Sequence, residues 1–461
     1  MIGFVLKMKL ENHRLPSGRN LLFWSIGVSF LVGLTFLVSA CKPAGPEEGL
    51  FPAPNAPEPV YSAAWDSMLT KEIYYDKLLG MLAGAAIGDA MGAPTEMWHR
   101  NDIAVQFGYV DSLDMVLREG SPEGPWEDNL PGGSTTDDTR WKYLMGRYLI
   151  ENAAGADSLD ARNFAGYLVS TYVKEMEAVK TIDAFAPEPL ERQIMHMAWL
   201  QEWAKVAKPY RDRDLDAYIY ALDRFYGGEM SCAGMLYTPS VGAFYPAQPE
   251  VAYREAYRLG LFDLGYARDI SALTAAMVSV AMKPGIQPKE IGIVAAYVDP
   301  LRYHNSRLVG RLAFGAYRTA IDIAYRAKQE PADPEITEPV KLRNWKRDPI
   351  YYRQVQKAYE MLDEHLQDIP FHAAEINLIN LTALEFSEGD FSKAIEFVVN
   401  YGRDNDTVAA VTGAILGAYW GYSRLPQEWK EKALKINREE LGLDLEVLAR
   451  GMADAGYRGG G

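Results

Sequence analysis

The chain has 461 residues, of which 48% are apolar, so it can form a sizeable hydrophobic core and is not disordered as a whole. Asp and Glu outnumber Lys and Arg by 62 to 47, which gives a net charge of −15. This balance excludes an extended basic surface, and no nucleic-acid partner is expected. A small anionic ligand stays compatible, because a bound metal ion supplies positive charge locally.

The first forty residues have the pattern of an export signal. Basic residues precede an apolar run over 21–38, which ends in the sequence VSAC at Cys41. This ending resembles a bacterial lipobox, whose cysteine is acylated and becomes the mature N-terminus. A transmembrane anchor is the alternative, since the run is just long enough to span a bilayer. We expect residues 1–40 to be a lipoprotein signal peptide.

Lipid on Cys41 would anchor the protein in the cell envelope, and Lys42 after the cysteine favours the outer membrane or the periplasmic face. Cys232 is the other cysteine of the chain, so no disulfide is expected. Residues 41–60 are rich in proline and predict a semi-extended tether. Residues 61–461 then form the folded domain, which we expect to be a monomer.

Helical patterns dominate from residue 71 onward, whereas period-two strand patterns are scarce. The first predicted helix, 71–92, carries a glycine every fourth residue, which would let another helix approach closely; Asp76, Lys77 and Asp89 interrupt the stripe and argue against a membrane dimer. Residues 329–349 are charged and contain prolines, so we expect a surface segment between two helices. The sequence therefore predicts a single all-α domain. The other predicted helices are 139–153, 160–180, 189–206, 214–226, 250–262, 268–282, 288–298, 306–328, 350–366, 371–386, 391–400 and 407–422.

Two acidic clusters share one shape. The sequences TTDDT (135–139) and RDNDT (403–407) each place paired carboxylates and a threonine directly before an apolar helix. Helix capping would explain one carboxylate in each cluster but leaves the second charge unmatched. Carboxylate and hydroxyl oxygens are ligands for hard cations such as Mg²⁺, Mn²⁺ or Ca²⁺. An EF-hand is excluded at 404–407, because the loop lacks the required glycine and twelfth-position glutamate.

A third acidic segment is GDAMGAPTEMW. Asp89 falls inside the glycine-striped helix, and Glu96 follows Pro94, where that helix should already have ended. A loop glutamate near two metal clusters could bind metal or act as a general acid or base, although many loop glutamates are simply solvated.

These segments resemble the ADP-ribosylglycohydrolases, the group that includes dinitrogenase-reductase activating glycohydrolase. The resemblance rests on residues 80–96, 135–139 and 391–421, in that order along the chain. It implies a single compact multi-helix orthogonal bundle with a binuclear metal cleft that holds two Mg²⁺ or Mn²⁺ ions. The metal ligands that it implies are Thr136, Asp137, Asp138, Asp404, Asp406 and Thr407.

The resemblance also implies a reaction and its residues. Metal-assisted hydrolysis would cleave the bond at the anomeric carbon of an ADP-ribosyl or related ribosyl compound, small or linked to protein. Glu96 matches the family's loop glutamate, and Glu96, Asp137 and Asp406 are the expected catalytic residues. The expected substrate contacts are Glu96, Gly402, Arg403, Asn405, Ser231 and Tyr237.

The middle of the chain departs from the family pattern. Ser231-Cys232 replaces an asparagine–glycine pair, Leu236 replaces an arginine, and residues 272–282 lack a histidine. Without these groups a bound pyrophosphate is less favoured, and Tyr237 and Tyr245 would offer rings and hydroxyls instead. The alternatives are that 231–246 packs the core, that the substrate is a nucleoside-type ribosyl N-glycoside, or that the protein is a metal-dependent binding lipoprotein without turnover.

Overall fold

The structure, a computed structural model, describes residues 69–116, 130–152, 159–183, 185, 187–330 and 340–457. The predicted signal peptide, Cys41 and the tether lie outside these residues, so they stay predictions. Within the described ranges no helix has both the length and the apolar character needed to cross a membrane.

Helices make up most of the described chain, which confirms the all-α prediction. The sheet among the described residues is a two-stranded antiparallel ladder of β1 (Trp98–His99) and β2 (Gly402–Arg403). The helices are α1 Lys71–Gly92, α2 Arg100–Gln106, α3 Asp137–Asn152, α4 Ala161–Val179, α5 Pro187–Asp212, α6 Leu215–Leu222, α7 Ala233–Phe244, α8 Pro249–Leu259, α9 Ala267–Ala281, α10 Lys289–Gly292, α11 Val294–Tyr297, α12 Leu312–Lys328, α13 Pro349–Asp363, α14 Ala373–Ser387, α15 Phe391–Tyr401, α16 Asn405–Trp420, α17 Gln427–Glu439 and α18 Leu445–Gly456.

Some helix predictions need correction. The sequence did not predict α2, α7, α17 or α18; α7 contains Pro239, a residue that usually interrupts helices. The predicted helix 306–328 begins only at Leu312, because Leu308 and Gly310 have φ of 78° and 64°, outside the helical region. The predicted helix 288–298 is two short helices, α10 and α11.

The central contact of the fold is the antiparallel packing of α1 on α16. Each glycine of the α1 stripe faces backbone of α16 so closely that a Cβ atom would collide with it. The close helix approach predicted from the glycine stripe is therefore present. The facing pairs are Gly80 with Gly417, Gly84 with Gly413, Gly88 with Ala409, and Gly92 with Asp406.

This packing brings three helix ends together. The C-terminal end of α1 lies against the first turn of α16, since Gly92 contacts Asp406. Asp89, one turn earlier on α1, accepts hydrogen bonds from the first turn of α3. Helix α3 is supported by α7 and α18, and α7 packs on α9. Both acidic clusters thus face the same end of α1.

Candidate functional site

Asp89 of α1 caps helix α3. Its Oδ1 accepts the backbone N–H of Thr136 at 2.9 Å, and its Oδ2 accepts the N–H and the hydroxyl of Thr139 at 3.0 and 2.6 Å. Burial raises the pKa of Asp89 to about 6, and repulsion from Asp138 adds to the rise. Because Asp89 and the Thr136 hydroxyl, which accepts the Asp138 N–H at 3.3 Å, satisfy the helix start, the carboxylates of α3 are not needed for capping.

The Thr407 hydroxyl connects the two acidic clusters. It lies 2.9 Å from Oδ2 of Asp138 and 3.2 Å from Oδ1 of Asp404, so its single proton can serve either carboxylate. On the other side of Asp138, the buried Lys142 donates to the Asp138 carbonyl at 3.0 Å and lies 3.4 Å from its Oδ1. Sequence reasoning missed Lys142; its spacing of four from Asp138 on an otherwise apolar helix face was the available signal.

The short ladder β1–β2 positions Glu96. After α1 the chain makes a 3₁₀ turn over Ala93–Thr95, and the Met97 N–H then donates to the Arg403 carbonyl at 2.7 Å. Gly402 has φ of 85°, and a Cβ there would collide with the Trp98 carbonyl. The glycine therefore permits the close pairing that holds Glu96 beside the start of α16.

Glu96, Asp404 and Asp406 each offer a carboxylate oxygen, and these three atoms lie within 4.8 Å of one another. Asp404 is the N-cap residue of α16 but makes no side-chain capping hydrogen bond. These three residues border one cavity together with Asp137 and Asp138. Five carboxylates face this cavity, and among the described residues that line it there is no Lys, Arg or His.

This donor set fits hard metal ions. All of its atoms are oxygens, as Mg²⁺ and Mn²⁺ prefer, and so many carboxylates beside one cavity repel one another unless cations lie between them. Asp137, Asp138, Asp404, Asp406 and Thr407 border the cavity together. Thr136 is buried behind them, where its hydroxyl accepts the Asp138 N–H.

The structure places four predicted substrate contacts away from the cavity lining. The Tyr237 ring is buried among Trp141, Trp203 and Phe262, with its hydroxyl donating to the Leu259 carbonyl, as the core-packing alternative predicted. Gly402 belongs to β2. Arg403 forms a two-point ion pair with Glu375, at 2.7 and 2.9 Å. Asn405 is buried, and its amide donates to the Thr95 hydroxyl and the Val399 carbonyl.

Aromatic rings also line this cavity, and the sequence analysis did not predict them. Trp203, Tyr226 and Phe371 line it, with the Trp203 indole N–H donating to the Tyr226 hydroxyl at 3.3 Å. Ser231 also lines the cavity; its hydroxyl is buried and has no hydrogen-bond partner among the described residues. These rings belong to α5, a turn and the segment before α14. Because the three segments are far apart in the chain, no local sequence pattern predicts that the rings meet.

Asp263 binds the start of α7 beside the cavity, and from its raised pKa we predict a pH dependence of stability. Its Oδ1 accepts the Gly234 N–H at 2.8 Å, and burial raises its pKa from 3.8 to about 6. An acid with a raised folded-state pKa stabilises the fold at low pH, and this stabilisation is lost as pH rises through 6. Asp263→Asn keeps the acceptor without the charge, so above pH 6 it should be more stable than wild type, by up to about 3 kcal/mol. Thermal melts at pH 4 and pH 8 test this, and an equal advantage at both would contradict it.

The chain is similar to one known protein family over most of its length. The model of the ADP-ribosylglycohydrolase family matches residues 70–459. ADP-ribosylarginine hydrolase Tri1 of Serratia proteamaculans is 45% identical over 49 residues, 11% of this chain and 13% of that protein. YegU, an uncharacterized protein of Escherichia coli strain K12, is 33% identical over 86 residues, 18% of this chain and 23% of that protein.

The aligned segments thus cover less than a quarter of either relative. A solved structure described as an ADP-ribosylglycohydrolase-related protein complex superimposes with a TM-score of 0.50 at 18% identity, over 84% of this chain and 100% of that one, which shows a shared fold. The family match spans nearly all of the described residues, so the resemblance seen in the sequence is confirmed: the chain belongs to the ADP-ribosylglycohydrolase family.

Proposed function

We propose that this protein is a metal-dependent glycohydrolase that cleaves the anomeric bond of an ADP-ribosyl or related ribosyl compound. The observation that carries the proposal is the convergence of Glu96, Asp404 and Asp406 within 4.8 Å, on a cavity that Asp137 and Asp138 also line. Membership of a family of glycosidase-type hydrolases supports the reaction class.

Asp137, Asp138, Asp404, Asp406 and Thr407 would hold two Mg²⁺ or Mn²⁺ ions. When bound, such ions orient the ribose hydroxyls and lower the pKa of a water molecule. The chain's own carboxylates favour the positive charge that develops at the anomeric carbon in an oxocarbenium-like transition state. Glu96 is only half-buried at the cavity, so its carboxylate can take a proton from water or deliver one to the leaving group.

The cavity lining favours an uncharged group beyond the ribose. Trp203, Tyr226 and Phe371 offer faces and edges for a planar or apolar leaving group, and the Ser231 hydroxyl offers one hydrogen bond. The described lining has no Lys, Arg or His side chain that would pair with a diphosphate. A nucleoside-type ribosyl N-glycoside is therefore the second candidate substrate, beside an ADP-ribosyl compound.

Calorimetric titration with ADP-ribose, adenosine and ribose in excess Mg²⁺ tests the substrate class. Because the described lining offers no basic side chain to the diphosphate, ADP-ribose should bind within about tenfold of adenosine. A far stronger preference for ADP-ribose would show that the cavity still recognises the diphosphate. Release of free ribose from adenosine, or of ADP-ribose from an ADP-ribosylated peptide, then separates the two hydrolases, and binding without any turnover would identify a metal-dependent binding protein.

We also propose that lipid on Cys41 anchors the protein to a membrane of the cell envelope, on the basis of the apolar run and the VSAC sequence. Wild-type protein should fractionate with membranes and incorporate labelled fatty acid. Cys41→Ala should give an unprocessed form that incorporates none, because the acylated thiol is absent. Recovery of wild-type protein in the cytosol with Met1 intact would refute the anchor.

A further inference from the structure

A second cavity is lined by helix α3 after its first two residues. It is a groove bounded by α3, α4, α5 and residues 441–443. None of its lining residues borders the cavity of Glu96, Asp137, Asp138, Asp404 and Asp406, called the carboxylate cavity below. Trp199 of α5 lines the groove, whereas Trp203, one turn further, lines the carboxylate cavity. The buried Trp141 contacts both rings, so aromatic packing separates the two cavities.

Arginine side chains line the groove, whereas carboxylates line the first cavity. Arg140 and Arg147 of α3 both border it together with Glu175 of α4, so a phosphate would compete with carboxylates for the two guanidinium groups. The two arginines are seven residues apart, which is two helical turns and about 10.5 Å along one helix face. Arg147 pairs with Glu151 at 3.4 Å, but both side chains are about half exposed, so this pair is weak and an anion can displace it. Guanidinium groups bind phosphate oxygens in a two-point geometry.

Aromatic rings alternate with these arginines. Tyr143 lies between Arg140 and Arg147 on the same face of α3, and Tyr167 and Trp199 complete the lining on α4 and α5. All three rings are only partly buried, so each can still present surface to a ligand. Stacking of a nucleobase on such a ring contributes about 1–3 kcal/mol and tolerates any base. Guanidinium groups beside partly exposed rings can thus bind a ligand that combines a nucleobase with phosphate.

We propose that the groove of Arg140, Tyr143, Arg147, Tyr167 and Trp199 is a second ligand site that binds a nucleoside phosphate. The base lies against the rings, and the phosphate lies between the two guanidinium groups. This site is separate from the carboxylate cavity and needs no metal ion. It does not depend on the proposed hydrolase function, because none of the five residues borders that cavity.

Titration of the full chain with ADP in EDTA tests the site, by calorimetry and by Trp fluorescence. Wild-type protein should bind ADP, and Arg147→Gln should weaken binding at least tenfold, because a charge-assisted hydrogen bond is lost. Arg147→Lys should retain part of the affinity. Arg318→Gln, which removes another exposed arginine, on α12, should leave ADP binding unchanged. Adenosine and inorganic phosphate should each bind more weakly than ADP, since each offers only one of the two interactions.

The variants should keep the wild-type melting temperature, because the Arg147–Glu151 pair is exposed. ADP binding that requires Mg²⁺, that Asp406→Asn abolishes and that Arg147→Gln leaves intact would assign the nucleotide to the carboxylate cavity and overturn the proposal. Absence of any ADP binding in EDTA would overturn it as well. Both outcomes leave the proposed hydrolase function untouched, so the two proposals fail separately.

Discussion

Asp406→Asn should abolish hydrolysis and remove the stabilisation of the protein by Mg²⁺. Asp406 is one of three residues whose carboxylate oxygens converge within 4.8 Å, so its replacement removes a ligand atom and a charge from the centre of the cluster. Loss of a residue that only orients a metal ligand lowers metal affinity or activity by about 10–100-fold. Loss of a direct ligand should lower activity by more than about 100-fold. Wild-type protein at a hundredfold excess of Mg²⁺ over Kd should gain about 2.7 kcal/mol in the free energy of unfolding, and the variant should gain none.

Melting in EDTA distinguishes this explanation from helix capping. Without metal, five carboxylates repel one another at the cavity, so Asp406→Asn should be at least as stable as wild type. If Asp406 acted only through the N-terminal end of α16, the variant would instead be less stable in EDTA and would keep its full response to Mg²⁺. Asp137→Asn should behave as Asp406→Asn does. Asp454→Asn, which removes an exposed carboxylate paired with Lys71, is the control for loss of one charge.

Gly88→Ala should destabilise the fold, because the added methyl group has no space between α1 and α16. A Cβ at Gly88 would collide with the backbone of Ala409 and Ala410, and backbone atoms cannot move aside as a flexible side chain can. Overpacking a tight contact costs 1–3 kcal/mol or more, whereas the gain in helix propensity from Gly to Ala is about 1 kcal/mol. We expect a net loss of about 2 kcal/mol, measured by urea denaturation, together with a weaker response to Mg²⁺.

Gly315→Ala is the matched control for this prediction. Gly315 lies in the exposed face of α12, and a Cβ there would have no atom within 4 Å. The same substitution should therefore stabilise the protein slightly, by up to about 1 kcal/mol, through helix propensity alone. If Gly88→Ala were as stable as Gly315→Ala, the close contact between α1 and α16 would not contribute to the fold in the way described.

Much of the candidate site could be predicted from the sequence because its parts are local. An Asp pair followed by a threonine and an apolar helix is visible in a few residues, so Asp137, Asp138, Asp404, Asp406 and Thr407 could be proposed as one set. Glu96 was predictable as a loop glutamate because Pro94 ends the helix before it. By contrast, α7 was missed because Pro239 and its glycines weaken the helical signal, although its buried position stabilises the helix.

The roles of single residues depended on contacts between distant segments. Asn405 and Arg403 stand inside an acidic motif, yet their side chains bond to Thr95 and Glu375 and hold the backbone of the motif in place. Tyr237 was predicted to contact substrate, but its ring packs in the core. In each case the side chain could bond to several partners, and only the packing of neighbouring helices selected one.

The sequence by itself determined the all-α class, the close approach of α1 to another helix and the presence of two acidic helix starts, because periodicity, glycine spacing and adjacent carboxylates act over a few residues. Only the tertiary structure decided that both starts face one cavity, that Asp89 caps α3, and that Trp203, Tyr226 and Phe371 line the same cavity. These features join residues far apart in the chain. Their distances follow from how whole helices pack, and the packing depends on the sum of many side-chain contacts along each helix rather than on any short motif.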